Sequence, residues 1–248
     1  TRPLIGSLAA AGSDVLPTGY TALEYVESDG TQYLDTGVFP GPRTRVMCDC
    51  NFVSLPAYSS QRCGAAYGAN TFLWGVDAGL NGRFGSIVNS TAWGSREDTG
   101  IAGSLEQHRF DLQSGSQKFN GIEYGTGVVG LSIWLFGSNE GSGGVSYKCS
   151  MRLYRFLAFD GETPMADYVP AQDPSGTVGL YDRVTGRFVA PVGTLAAGPT
   201  VEPAMSPDSL TVTASPLPFG NPAPAYGSRH GLQPGDAFVC TVAGTVTN

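Results

Sequence analysis

The segment from Val145 to Phe159, VSYKCSMRLYRFLAF, constrains the fold of this chain more than any other. Its first nine residues alternate apolar and polar side chains, which is the period of two that a β-strand with one buried face requires. From Leu153 onward both faces become apolar or aromatic, and Asp160-Gly161 then favours a turn. We therefore expect one long, central, mostly antiparallel strand here, running from a half-exposed sheet face into a deeper core.

Short strands separated by turns dominate the rest of the chain. Its 248 residues include 35 Gly and 17 Pro, which is a high content for a helical protein, and no stretch has a sustained helical apolar stripe. Strand patterns recur about every ten residues, as is typical of a two-sheet sandwich. The clearest one-faced strand is 44–53, where Val46, Cys48, Cys50 and Phe52 share one side. The sequence therefore predicts an all-β, two-sheet antiparallel sandwich with a small C-terminal β segment.

Several further elements follow from local patterns. The Asp29-Gly30 pair, between two short alternating segments, predicts a β-hairpin. The apolar run 131–137 predicts a central strand with Trp134 in the core. Other short strands are predicted at 62–68, 70–77, 82–88 and 108–113, and a closing hairpin at 178–191 with its turn at Thr185-Gly186. We also expect Asp167, Asp182 and Arg183 to form ion pairs that hold this hairpin.

Charge excludes two classes of partner. The net charge is −7, with only 14% charged residues. A nucleic-acid-binding protein would show a basic face, and the negative charge disfavours adhesion to an anionic membrane surface. No apolar run approaches the ~20 residues of a membrane span, so we expect no membrane insertion. Low charge with many Ser, Thr, Gly and Asn residues is typical of bacterial surface modules, which predicts a secreted or cell-surface protein.

The five cysteines are Cys48, Cys50, Cys63, Cys149 and Cys240. Because Cys48 and Cys50 share one strand face, they are not expected to pair with each other. We expect buried free thiols at Cys48, Cys50 and Cys149, while a Cys63–Cys149 or Cys50–Cys149 bridge stays open as an alternative. No C-x-x-C pair or Cys/His cluster is present, so the cysteines do not predict a metal site.

Composition also divides the chain into segments. Residues 1–15 are Ala-rich and are expected to be a tail, either a linker or the end of a cleaved signal peptide. Residues 16–198 form the main β domain, and 199–207 are a Pro-rich linker. Residues 208–248 hold two or three potential strands, which cannot close a core alone. This segment either docks on the main domain or is the first part of a truncated domain, and we favour truncation.

Blocks at both ends of 16–198 resemble a known family. They are LPTGYTALEYVESDGTQYLDTG at 16–37, MRLYRFLAFDG at 151–161, DYVPA at 167–171 and GLYDRVTGRF at 179–188. These blocks resemble the laminin-G-like, concanavalin A-like jelly-roll domains of bacterial surface and phage-associated proteins. The resemblance implies a lectin/glucanase-type sandwich of two curved antiparallel sheets. The segment 212–227 resembles the start of a bacterial immunoglobulin-like repeat, so 208–248 is interpreted as a partial repeat.

Catalysis is not expected. Glucanases of this fold carry an E-x-D-x-x-E array, and retaining hydrolysis needs two carboxylates about 5–5.5 Å apart. This chain has no such array, since Glu24 and Glu27 have the wrong parity to share a strand face. Glu97 and Asp98 are adjacent and are expected to lie in a loop. A G-x-S-x-G nucleophile motif is also missing from the sequence. We therefore predict that the chain is not an enzyme.

Sugar binding is the functional class that remains. Aromatic rings pack on the C–H surfaces of sugars, while Asn, Asp and Arg bond their hydroxyls. Candidate ligand-binding residues occur in 70–83 and in the polar segment that follows: Trp74, Asp77, Asn81, Arg83, Trp93 and Arg96. The alternative for Trp74 is a core position between the sheets.

The residues themselves predict no cofactor, and a calcium site stays open only through the resemblance. Calcium is frequent in laminin-G-like domains and requires several convergent oxygens. The candidates for such oxygens are Asp35, Asn139 and Glu140, although their spacing does not require a calcium site.

These observations predict a non-catalytic, carbohydrate-binding module of a larger secreted or cell-surface bacterial protein. Its partners would be a glycan or a cell-surface protein, together with further domains of the same polypeptide. One alternative is a structural or adhesive spacer that binds another protein. The other is an accessory domain of an enzyme whose catalytic part lies outside this chain.

Overall fold

The computed structural model describes residues 16–55, 60–90, 97–115, 124–141 and 144–201. They belong to the first of two compact units, Thr1–Ala204. Strands dominate them, and their one helical element is the 3-10 turn Ala78–Leu80. The predicted all-β class with two sheets is confirmed. The predicted tail, most of the linker and the immunoglobulin-like segment lie outside the described residues and stay predictions.

The first sheet has nine strands in the described part of the chain. They are β1 (Thr21–Ala22), β2 (Val26–Asp29), β4 (Thr44–Phe52), β9 (His108–Gln113), β13 (Ser150–Asp160), β14 (Thr163–Gln172), β15 (Val178–Asp182), β16 (Arg187–Val189) and β17 (Ala196–Ala197). Every pairing among them is antiparallel.

The second sheet has eight strands among the same residues. They are β3 (Leu34–Asp35), β5 (Gln61–Tyr67), β6 (Thr71–Asp77), β7 (Arg83–Ser90), β8 (Glu97–Ala102), β10 (Trp134–Leu135), β11 (Ser138–Asn139) and β12 (Val145–Ser146). Its pairings are antiparallel except that of β11 with β5, which is parallel. Glu97 and Asp98 lie on β8, so their predicted loop position is wrong.

Strand β13 is central, as predicted, because β4 pairs along one side of it and β2 and β14 pair along the other. The single continuous strand from Val145 is wrong, however. Val145 and Ser146 belong to the second sheet, and Tyr147 has a φ of 50°, a left-handed conformation that interrupts an extended strand. The alternating pattern therefore covers two strands in two different sheets.

Two other local predictions fail for a similar reason. Asp29 ends β2, and the chain bends at Gly30, which has a φ of 93°. The strand before this bend, β2, and the strand after it, β3, pair in different sheets and make no hairpin. The run 131–137 contributes only the two-residue strand β10, and Trp134 is half-buried rather than part of the main core. The turn residues predicted the bend at Gly30, and the apolar content of 131–137 predicted that residues beside Trp134 are buried. Neither signal predicted which strands pair.

A shared apolar core lies between the two sheets. Trp74 from β6 and Phe156 from β13 are both fully buried, and their rings stack at 6.1 Å with an interplanar angle of 15°. Strand β4 alternates buried and half-buried residues along its whole length, as its sequence predicted. The two inner faces therefore pack against each other, which gives the described residues sandwich character.

The closing hairpin of β15 and β16 is confirmed, with Gly186 at a φ of 71° in its turn. Asp182 accepts hydrogen bonds from the backbone of Asp167 and from the Thr185 hydroxyl. The Asp167 carboxylate is paired with Arg183 at 2.7 Å and Arg155 at 3.0 Å, as expected of ion-pairing residues. These contacts hold the two strands to β13 and β14.

Candidate functional site

The outer face of the second sheet, which points away from the shared core, carries a row of aligned side chains. Strand register pairs Asp35 with Trp134, Trp134 with Ala65, Ala65 with Leu73, and Leu73 with Ile87. Cross-strand partners point to the same face of a sheet, so these five residues share one side. Ala65, Leu73 and Ile87 form a small buried cluster separate from the main core.

The exposed end of this row is an aromatic stack. The Tyr33 and Trp134 rings lie 4.5 Å apart with an interplanar angle of 21°, and both side chains are half-buried. Asp35 beside them is exposed, and its Oδ1 accepts a hydrogen bond from the Gly37 backbone. Its Oδ2 bonds to no other residue in the described part of the chain. We call Tyr33, Trp134 and Asp35 the aromatic edge.

Two long side chains cover the middle of the row. Arg62 and Tyr67 stand five residues apart on β5, up to roughly 16 Å of strand. Arg62 Nε nevertheless lies 3.5 Å from the Tyr67 hydroxyl, so both side chains extend along the strand, over the intervening Ala65. Burial raises the pKa of Tyr67, with the nearby Arg62 charge opposing the rise, so the phenol stays protonated at neutral pH.

The charge of Arg62 is neutralised by a carboxylate, and an aromatic ring covers its guanidinium. Arg62 donates from Nη2 to the Asp77 carboxylate at 2.7 Å and from Nη1 to the Val76 carbonyl at 2.8 Å. The Tyr147 ring lies over the guanidinium, 5.2 Å from ring centroid to Cζ, and Tyr147 is 45% exposed. The left-handed backbone of Tyr147 brings its ring to this position, and its carbonyl accepts a hydrogen bond from the Arg62 backbone.

The structure separates the residues that the sequence nominated for sugar binding. Trp74 has no exposed surface and lies in the main core, which matches the alternative considered for it. Asp77 and Arg83 are register partners at the ends of β6 and β7, and Asn81 is exposed in the turn between them. Asp77 is buried and bonded to Arg62. Trp93 and Arg96 lie outside the described residues.

The three calcium candidates have different surroundings. Asn139 is buried, donating to the Ser132 carbonyl and accepting from the Gly141 backbone. Glu140 and Asp35 are exposed. Within the ranges that the structure describes, no group of three or more His, Cys, Asp and Glu side chains is placed to hold a metal ion. The calcium site stays a prediction.

The aromatic edge was missed by the sequence reasoning, although one signal for it was present. In the segment TQYLDTG, Gln32, Leu34 and Thr36 are buried, while Tyr33 and Asp35 alternate with them on the other face. This parity could have identified the pair as neighbours on an outer face. No local pattern could have placed Trp134 against them, because β10 is distant in sequence.

The outer face of the first sheet has a different character. Besides the Arg155–Asp167 pair, four ion pairs join arginines to carboxylates on this face or at its edge: Arg43–Asp160, Arg45–Asp111, Arg109–Asp49 and Arg152–Glu27. Charges paired in this way along neighbouring strands form a solvated surface whose charged groups bond to one another.

No protein-family model matches the chain, and neither a curated protein nor a solved structure matches it. None of the helical residues described could cross a membrane, because no helix there is long and apolar enough. The geometry of the site itself is therefore what indicates a function.

Proposed function

We propose that this chain is a non-catalytic, carbohydrate-binding module of a larger secreted or cell-surface bacterial protein. Its fold would be the jelly-roll sandwich that the resemblance to laminin-G-like domains implies. The observation that carries the proposal is the aromatic edge, where the stacked Tyr33 and Trp134 rings keep exposed surface beside the free oxygen of Asp35. Aromatic surface for C–H faces and a carboxylate for hydroxyls are the two contacts that a sugar needs.

The surroundings of the aromatic edge support a rigid platform. Trp134 is tied by strand pairing to both β3 and β5, and the Tyr33 backbone exchanges hydrogen bonds with Val192 in both directions. Rings that are fixed before binding lose little conformational entropy when a ligand arrives. A preorganised aromatic surface therefore suits a ligand that is bound and released unchanged.

A glycan microarray probed with the full chain tests the proposal, followed by calorimetry with the best-bound glycan. Trp134→Ala should weaken binding about tenfold, which corresponds to roughly 1.4 kcal/mol, because one ring of the stack is lost. Asp35→Asn should also weaken binding and leave the fold unchanged. The matched control is Tyr154→Ala, which removes a half-buried ring from the Tyr25–Tyr154 pair on the first sheet's outer face.

The expected pattern is loss of binding with Trp134→Ala and unchanged binding with Tyr154→Ala, while both variants keep a cooperative thermal transition. Binding that is equally insensitive to both variants would remove the aromatic edge from consideration.

A structural or adhesive spacer is the second candidate function. It is favoured by the outer face of the first sheet, where arginines and carboxylates satisfy one another. A folded chain that binds no glycan on the array would favour this alternative.

A further inference from the structure

Four cysteines from two sheets meet in the shared core. Cys48 and Cys50 lie on β4 of the first sheet, Cys63 lies on β5 of the second, and Cys149 immediately precedes β13. All four are fully buried, and all are free thiols. The strands β4 and β5 follow one another in the chain, so a covalent link between them would join the sheets close to their connection.

The Cys50–Cys63 pair joins two strands of different sheets. Cys50 Sγ lies 3.7 Å from Cys63 Sγ across the sheet interface. Cys149 also lies within hydrogen-bonding reach of Cys63, but its thiol donates to Gln61 Oε1 at 3.7 Å, a polar partner that Cys50 does not share. Cys48 and Cys50 are two residues apart on one strand, roughly 6.6 Å along it, and their side chains run parallel.

We propose that Cys50 and Cys63 form a disulfide that joins the two sheets when the chain folds in the presence of a small-molecule disulfide oxidant. The two sulfurs must approach from 3.7 Å to a bond length of about 2.05 Å. The structure describes the reduced form of this site, in which both sulfurs are already in van der Waals contact.

The reaction is two thiol–disulfide exchanges with glutathione disulfide as oxidant. The thiolate of one cysteine attacks a glutathione sulfur, which forms a mixed disulfide and releases one glutathione thiolate. The thiolate of the second cysteine then attacks the protein sulfur of that mixed disulfide and releases the second glutathione. Both cysteine protons end on the released glutathiones, and two electrons pass from the protein to the oxidant.

Burial decides when this exchange can occur. The folded core excludes the oxidant, and burial raises the pKa of the Cys63 thiol, which makes the reactive thiolate scarce. The bond therefore forms while the two sheets are still closing on each other, and the folded reduced protein resists oxidation. The inter-sheet pair therefore differs from an exposed regulatory thiol pair, which an oxidant reaches in the folded protein.

The test uses the full chain with Cys240→Ser, so that the fifth cysteine forms no bond between chains. The reduced, denatured protein is refolded in a glutathione redox buffer, its free thiols are alkylated, and peptides are mapped by mass spectrometry without reduction. We expect a Cys50–Cys63 linked peptide from most of the protein. Folded reduced protein in the same buffer should yield none.

Single variants provide matched controls. Cys48→Ala removes a buried thiol from the same strand face and should leave the Cys50–Cys63 link intact, whereas Cys50→Ala should abolish it. If Cys50→Ala does not fold, peptide mapping of the chain with Cys50 present still decides. Refolded protein without the link, or with Cys63–Cys149 or Cys50–Cys149 as its main product, would overturn the proposal. Rapid linkage in the folded protein would overturn the timing.

Discussion

Arg62 donates a hydrogen bond from Nη2 to Oδ2 of Asp77 at 2.7 Å, and their side chains keep only 2% and 4% of their surface exposed. A charge left alone at such a site has no water to replace its partner. The Arg62 guanidinium lies beneath the Tyr147 ring and beside the Tyr67 hydroxyl. The ion pair is therefore part of the side-chain layer that covers the outer face of the second sheet.

Asp77→Ala should therefore lower the free energy of unfolding by about 3–5 kcal/mol, because it leaves the Arg62 guanidinium buried without its partner. Urea denaturation measures the change. Asp111→Ala breaks the exposed Arg45–Asp111 pair, with side chains 38% and 43% exposed, and should cost less than about 1 kcal/mol. Similar losses in both variants would contradict a structural role for the buried pair.

Gly64→Ala should destabilise the core by about 1–3 kcal/mol through overpacking. A Cβ at Gly64 would clash with Trp74 Cη2, and the fully buried indole would have to move to relieve the clash. Gly41→Ala is the matched control, since nothing lies within 4 Å of its added Cβ. Thermal denaturation should also show a smaller cost for Gly64→Ala in a Trp74→Phe background. Equal costs in both backgrounds would disprove the contact.

His108 should make the protein less stable as the pH falls. Burial lowers the pKa of His108 below its ordinary value of 6.5, with the Glu106 carboxylate opposing the shift. The unfolded chain therefore binds the proton first, so His108 destabilises the fold as the pH falls from about 6.5 through its folded pKa. Compared with a His108→Gln variant, the natural protein should lose stability over this window. A pH-independent difference between the two would show that His108 does not titrate as inferred.

Asn81 should stabilise the turn between β6 and β7 because its backbone is left-handed. Its φ of 56° is left-handed, a conformation that costs most residues about 1–2 kcal/mol but suits Asn and Gly. Asn81→Ala should lower the melting temperature, while Asn81→Gly should stay close to the natural value. Asn81→Gly also removes the amide without disturbing the hairpin, so any loss of glycan binding in that variant would identify a direct ligand contact.

The inter-sheet link should stabilise the fold when it forms. A disulfide from Cys50 to Cys63 closes a ring of about 14 residues, for which restriction of the unfolded chain predicts a gain of up to about 3 kcal/mol. Denaturation midpoints of the oxidised and reduced protein measure this gain. Cys50→Ala refolded under the same oxidising conditions should show no difference between the two forms.

Several strands could be predicted because their pattern is local. The alternation in 44–53 predicted β4 and its buried face, and 108–113 matches the bounds of β9. The strands expected at 62–68, 70–77 and 82–88 appear as β5, β6 and β7 within two residues at each end. Side-chain period and turn residues act over a few positions, so they survive without knowledge of the rest of the chain.

Strand partners could not be predicted from the same patterns. The alternation across 145–159 continues through Tyr147, yet the residues on its two sides pair in different sheets. Asp29-Gly30 likewise turns the chain from one sheet to the other. Hydrogen bonding between strands distant in sequence decides both cases, and a local pattern carries no information about it.

Trp74 and Trp134 show which features the sequence determines and which ones depend on the tertiary structure. Both Trp74 and Trp134 lie in apolar strand segments, and the amino-acid order alone determined that neighbours in each strand would point to opposite faces. Only the tertiary structure decided that Trp74 faces the opposing sheet while Trp134 faces outward against Tyr33. The physical reason is that a pleated strand defines two faces, whereas the layer that covers one of them comes from another part of the chain.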